Sequence, residues 1–488
     1  MTSRSLIYMA LIPLMCGLSP SPATAQEQAP DHTVYSEVPD DPFTPAPPSK
    51  MQLGEVRTWT HNGHISVQVN VAAGGANIID DAANEPSIAV DPNDPNIINI
   101  GWRQFDTITS NFRQAGLGVT TDGGQTWSFP GVLDPGVFRS DPVLDFDIDG
   151  NFYYNSLTYD TDLRCDVFKT TDGGANWSAP VFAYGSDKQW MSIDRTDGQG
   201  QGHIYQHWSP FTLTTFNRSI DGAASFEAPV ALPEEPYWGT TTVTPDGAVF
   251  VAGLASWSSG IAVARSSNAQ NASATPTFDQ VVIVDLGGFP QAFEDPSPNP
   301  GGLLGQVWIA ADHSGGAGHG NLYLLASVNP EGSDPLDVHF SRSTDNGATW
   351  SNPVRVNDDP AGTDAWQWFG TMSVAPDGHI DVVWNDTRDY PGDSFTSELT
   401  YAYSTDFGVT WSANEVLSPT FNPHLGWPQQ NKIGDYYDMV SDETGAHLAY
   451  SATFNGEQDV YYLHLDAPSV FIDGFESGDT FAWSFATP

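Results

Sequence analysis

Apolar and polar positions alternate along this chain in short runs that end in polar turns. Ile65-Ser66-Val67-Gln68-Val69-Asn70-Val71 keeps a period of two, the pattern of a strand with one face toward a core. Runs of one design then recur: Glu85-Pro86-Ser87-Ile88-Ala89-Val90, Asp141-Pro142-Val143-Leu144, Trp190-Met191-Ser192-Ile193, Gly239-Thr240-Thr241-Thr242-Val243, Gly370-Thr371-Met372-Ser373-Val374 and Tyr437-Asp438-Met439-Val440-Ser441. Each leads to a polar turn, often Asp-Gly as at Asp246-Gly247 and Asp377-Gly378. A second apolar strand follows, such as Val249-Phe250-Val251 or Ile380-Asp381-Val382-Val383-Trp384. These runs are predicted to be the first and second strands of a repeated antiparallel sheet.

A second repeat lies between them. Thr120-Thr121-Asp122-Gly123-Gly124-Gln125-Thr126-Trp127 returns around Asp172 and Trp177, around Asp345 and Trp350, and around Asp406 and Trp411. A weaker copy centres on Asp221 and a worn one on Ser266-Ser267-Asn268. The octamer is chemically a hairpin turn. Its Asp accepts turn hydrogen bonds, its Gly takes a positive φ, and its Trp folds back over the sheet. It resembles the Asp box, or bacterial neuraminidase repeat, of sialidases and related proteins. That resemblance implies an all-β fold, a β-propeller of four-stranded antiparallel blades, with the boxes on outer turns in a structural role.

Six first strands open near residues 85, 140, 188, 238, 366 and 434, and Leu304-Gly305-Gln306-Val307-Trp308-Ile309-Ala310 supplies a seventh. The boxes are evenly spaced from Asp122 through Asp172 to Asp221, and the gap to Asp345 holds two blades. Seven blades are therefore expected, with six as the alternative. The last blade shows three strands and no box, so the N-terminal strand at Ile65–Val71 is expected to complete it and close the ring.

The ends read differently. Arg4, the apolar stretch Leu6–Leu18 and Ala23-Thr24-Ala25 form a signal-peptide pattern over residues 1–25, which implies export to the medium, the periplasm or the cell surface. A Pro-rich, acidic leader occupies 26–60, the propeller 61–467 and a short tail 468–488 that resembles a segment found on exported proteobacterial proteins. No later stretch has the apolar length of a membrane span. Sixteen Lys and Arg face 60 Asp and Glu, a formal charge of −44, which sets aside nucleic acid and anionic lipid as partners. No cofactor is required, although such a surface favours cations such as Ca²⁺. Asp145-Phe146-Asp147-Ile148-Asp149-Gly150 superficially matches a calcium loop but reads better as a hairpin turn, because Ser156 stands where that loop needs Glu.

Ligands of propellers sit on the axis, where first strands open, so the residues there are the candidates. The sialidase resemblance implies three arginines for a substrate carboxylate, a nucleophilic Tyr paired with Glu, and an acid/base Asp. Here Tyr436 or Tyr437 stands where that nucleophile falls, Asp141 or Asp187 can serve as acid, and Arg103, Arg139 and Arg388 can form the anion clamp. The chain departs from the family at its first blade, where Asn84-Glu85-Pro86 replaces the arginine of the F-R-I-P motif. Phe138-Arg139-Ser140-Asp141-Pro142 comes nearer but opens the second blade. Trp190, Trp238, Trp366 and Trp368 are candidates for stacking on sugar faces, with Lys188 beside them for hydroxyls. Alternatively, these aromatics fill the axis. A polysaccharide lyase with His203 or Tyr205 as base is a further reading; His203 and His207, about 13 Å apart on a strand, cannot share a metal. The sequence thus leaves a secreted propeller that binds or acts on extracellular glycans, as an exo-α-sialidase or as a non-catalytic scaffold.

Overall fold

Period-two segments of this length cannot bury their apolar faces alone, and the chain solves this by setting seven sheets side by side around an axis. The computed structural model describes residues 41–43, 52–53, 58–209 and 214–468; the expected signal peptide and the tail beyond Pro468 lie outside them. Among the described residues there are strands and turns and no helix.

The innermost strands are Ala82–Val90, Arg139–Phe146, Trp190–Ile193, Thr241–Val243, Trp308–Ala311, Gln367–Val374 and Asp438–Ser441, one per blade. Each packs against the next, and the seventh packs against the first, so the ring is closed. All pairings within blades are antiparallel, as in blade 4, where Thr241–Val243, Val249–Leu254, Ile261–Ser266 and Gln280–Val284 follow in order. In blades 1 and 3 the fourth strand is reduced to isolated bridges, Val119 to Ser128, Ala115 to Leu133 and Phe216 to Val230. The blade count and the antiparallel architecture read from the sequence both hold.

Closure also follows the expectation. His64–Gln68 pairs with Asp459–Asp466, with Val67 opposite Tyr462, and Thr58–His61 adds a fifth strand outside it. Asn70 donates to Asp459 Oδ1 at 2.7 Å and Ser66 Oγ lies 2.6 Å from Tyr450 Oη, so N- and C-terminal segments share one buried seam.

The boxes lie on the turns between third and fourth strands. In blade 1, Asp122 Oδ1 accepts from Thr120 Oγ1 at 2.7 Å and from Thr126 N at 2.9 Å, Oδ2 accepts from Thr126 Oγ1, and the Trp127 indole donates to Gly124 O. Asp172, Asp221, Asp345 and Asp406 repeat the scheme. The worn copy keeps it too: Asn268 Oδ1 accepts from Ser266 Oγ and Thr277 N. The second box glycine has a positive φ and seats the turn on the preceding blade. A Cβ on Gly124 would meet the Tyr462 ring, and one on Gly408 the Phe340 ring.

A feature the sequence did not announce concerns the inner strands. Each carries one left-handed residue near its start: Glu85, Asp141, Lys188, Trp238, Gly305, Phe369 and Gly434. In blades 1, 2 and 6 this coincides with a slip of register against the second strand. Such bulges re-aim side chains, and here several of them meet on the axis.

Candidate functional site

The axis is built in layers. At the face where inner strands begin, the charged side chains of five residues at or just before first-strand starts meet. Lys188 Nζ lies 3.0 Å from Asp141 Oδ2 and 2.8 Å from Asp435 Oδ2; Lys432 Nζ lies 2.7 Å from Asp435 Oδ2 and 3.4 Å from Glu85 Oε1. Arg103, from the second strand of blade 1, completes the layer 3.0 Å from Glu85 Oε2. Burial pushes the Glu85 carboxyl up to about 8 despite the opposing pull of Arg103, Lys432 and Lys188. Only four lysines occur in the whole sequence, and two of them sit here.

Below lies an aromatic layer. Trp190 of blade 3 meets Trp308 of blade 5 edge to face at 5.1 Å between centroids and Tyr436 of blade 7 at 5.5 Å. These blades are not neighbours, so the rings cross the axis and seal it. The Tyr436 hydroxyl donates to Pro142 O at 2.8 Å, and burial beside Glu85 and Asp141 pushes its phenol well up.

Beyond the aromatics the axis opens into a blind pocket of about 620 Å³ that reaches the face where inner strands end. All seven blades line it. Ile88, Leu144, Thr241, Ile309, Met372 and Met439 form its wall, and Asp91, Asp145, Arg195, His313, Asp442 and Glu443 its mouth. Asp438 faces the wall from blade 7. Burial raises its carboxyl to about 7, although Ser87 Oγ and the Ile88 amide both donate to it.

The expected site residues are thus distributed rather than gathered. Asp141 and Lys188 belong to the ionic layer, and Asp187 lies beside them, 3.6 Å from Lys188 Nζ. Trp190 and Tyr436 belong to the aromatic layer. Tyr437 points between blades 6 and 7, donating to Ser451 O at 2.6 Å and accepting from Asn385 at 3.0 Å. Arg139 is bound within blade 2 by Asp134 and Asp166 and lies over the Phe168 ring. Arg388 bridges blades 5 and 6 through Asp386 and Asp358. Arg103, Arg139 and Arg388 therefore serve three separate carboxyl sets. Trp368 is fully buried against Phe369, its indole donating to Ser397 Oγ, while Trp238 packs on Tyr237 and Trp366 borders the blade 6 core.

Of the histidines, His207 is buried against Thr241 Oγ1 and held down to about 3 by desolvation, and His203 faces Tyr205. His319 binds Ser314 O within its own loop. In the calcium-like stretch, Asp147 accepts from Asp149 N, Asn151 N and Tyr153 Oη, which makes it the acceptor of a hairpin turn. Among the described residues no three His, Cys, Asp or Glu side chains are disposed to hold a metal ion. Sequence reading placed Asp435 among the residues at first-strand openings but gave it no role, and it passed over Lys432 and Trp308. The signal for Asp435 and Trp308 was positional, since they stand where first strands open, whereas Lys432 lies in the preceding turn.

Ring, boxes and sealed axis together define the class: this chain is a seven-bladed β-propeller of the Asp-box repeat kind. The BNR/Asp-box repeat family matches residues 402–413, the copy around Asp406 and Trp411. No curated protein matches the chain. Among solved structures it is similar to a protein of unknown function from Dyadobacter fermentans, with 13% identity, TM-score 0.45, and coverage of 82% of this chain and 97% of that one. It is also similar to Kuenenia stuttgartiensis hydrazine synthase, with 11% identity, TM-score 0.47, and coverage of 78% and 95%. A Hadza microbial sialidase aligns at 13% identity and TM-score 0.40 over 78% of this chain and 65% of its own. Among the described residues no helix is long and apolar enough to cross a membrane.

Proposed function

We propose that this chain is an exported, non-catalytic propeller that takes a glycan or another extracellular ligand into its axial pocket. The observation that carries the reading is the pairing of the groups a sialidase-type hydrolase needs. Each candidate arginine already faces its own buried or half-buried carboxyl partners, and both candidate phenols donate to backbone carbonyls. An anion clamp built from them would first have to break three ion pairs, two of them buried, which removal of a partner makes costly. The pocket at the other end is open, lined by every blade and of the size small ligands occupy.

The test is a glycan array on the full chain, followed by product analysis for every hit. Binding without product is expected. Turnover that disappears in Tyr436→Phe or Asp141→Asn, with folding intact by circular dichroism, would overturn the reading in favour of hydrolysis. Export is checked by the N-terminal sequence of the chain recovered outside the cell, which is expected to begin near Gln26.

A further inference from the structure

The walls of the axial pocket narrow what it accepts. Five carboxyl side chains line it, Asp91, Asp145, Asp438, Asp442 and Glu443, against one cation, Arg195. Arg195 is engaged already: Nη1 lies 2.5 Å from Asp145 Oδ1 and the guanidinium stacks 4.4 Å from the Phe146 centroid. His313, at the same mouth, has Nε2 2.8 Å from Val243 O, and burial holds its imidazole below the ordinary value, so it adds no charge at neutral pH. Burial draws Asp442 upward, yet hydrogen bonds from His447 and Thr444 overcome it and keep the carboxyl well below its usual range.

The floor has the complementary chemistry. Trp190 and Trp308 stand at 81° to one another and form an indole corner, with the thioethers of Met372 and Met439 on the wall above. Indole faces attract cations and the C–H face of a sugar ring, and thioethers adapt to irregular apolar shapes. An anionic sugar at this mouth would meet carboxylates with no spare counter-charge. A neutral sugar can give them only hydroxyl hydrogen bonds, whereas a protonated amine adds charge pairing to the hydrogen bond.

We propose that the pocket selects glycans with free, protonated amino groups, a de-N-acetylated hexosamine chain, holding the ammonium among the mouth carboxylates and a sugar face against the Trp190–Trp308 corner. This rests on the reading that a glycan enters the axial pocket. Selectivity comes from the ammonium, and position comes from the corner.

Calorimetric titration of the full chain with glucosamine and N-acetylglucosamine tetramers isolates the charge, because acetylation removes it at constant chain length. The amine form is expected to bind at least about tenfold more tightly, with the advantage fading as pH rises through the amine's titration. Trp308→Ala removes the face on which the sugar packs and should weaken binding about twofold to tenfold, the range of one aromatic contact. Glu443→Gln, at an exposed mouth position, should narrow the preference without touching the core. Equal or tighter binding of the acetylated tetramer overturns the selectivity and leaves the pocket reading standing. Failure of both tetramers overturns it as well, and the glycan array then shows whether any other glycan enters. Binding of the amine form that ignores Trp308→Ala and vanishes in about 0.5 M salt would be general attraction to a chain of charge −44 and would also overturn the proposal.

Discussion

Replacing Lys188 by Met removes one cation from the axis and changes little else. Its Nζ lies within 3.0 Å of Asp141 and Asp435 and 3.6 Å of Asp187, and its side chain is 6% exposed. Lys188 has φ near 53°, and Met at the same φ is equally strained, so the backbone contribution cancels. Asp435 keeps Lys432 at 2.7 Å, whereas Asp141 keeps only neutral donors, Ser140 Oγ at 2.7 Å and the amide of residue 188 at 3.2 Å. Stranding a buried charge in this way costs about 3–5 kcal/mol, and the surviving donors place the loss near the lower end. That is a large share of a typical stability of about 5–15 kcal/mol. Urea unfolding followed by tryptophan fluorescence measures this, and the double variant Lys188→Met/Asp141→Asn should regain most of the loss. A single-variant loss below about 1 kcal/mol, or a double variant no better than the single, would refute the view that this layer is dry and mutually compensated.

Three further outcomes are expected. Asp438 is raised to about 7 in the folded chain, above its unfolded value near 3.8, so its carboxyl contributes most at low pH and that contribution fades as pH climbs toward 7. Asp438→Asn should accordingly raise the Tm at pH 8 and leave it nearly unchanged at pH 4, by differential scanning fluorimetry. Gly408→Ala adds a methyl at positive φ against the Phe340 ring and should cost about 2–3 kcal/mol in chemical unfolding, whereas Gly392→Ala, also at positive φ but with open space around it, should cost less. Asp345 is held below the ordinary carboxylate range by hydrogen bonds from Thr349 and Ser343. Asp345→Ala should therefore speed proteolysis of the turn between the last two strands of blade 5 while leaving the global unfolding midpoint within a few degrees.

The boxes could be read directly because their bonding is local. Asp406 takes donors from Ser404 and Thr410, all inside one octamer, so the motif carries its own geometry wherever it occurs. The worn copy at Asn268 was legible for the same reason. The candidate site was less so. Trp190 and Tyr436 were singled out at the openings of first strands, and both lie on the axis. Tyr437, next in sequence, points into the interface between blades 6 and 7, where Asn385 and Ser451 hold its hydroxyl. Arg139 is held by Asp166 on the third strand of its blade and Arg388 by Asp386 on a second strand, pairings that no spacing in the sequence reveals.

By itself the sequence determined the turns, the strand periodicity, the seven repeats and the N-terminal strand that closes them, since each rests on contacts a few residues apart or on a repeat that must stack on its neighbours to bury its faces. Tertiary structure alone decided which cation meets which carboxyl, which rings cross the axis and at which end a pocket remains. Lys188 reaches Asp435, and Tyr436 reaches Pro142, only because the seventh blade returns to the first. Ring closure fixes those distances, and in a chain with so few cations every pairing on the axis removes one from any other site.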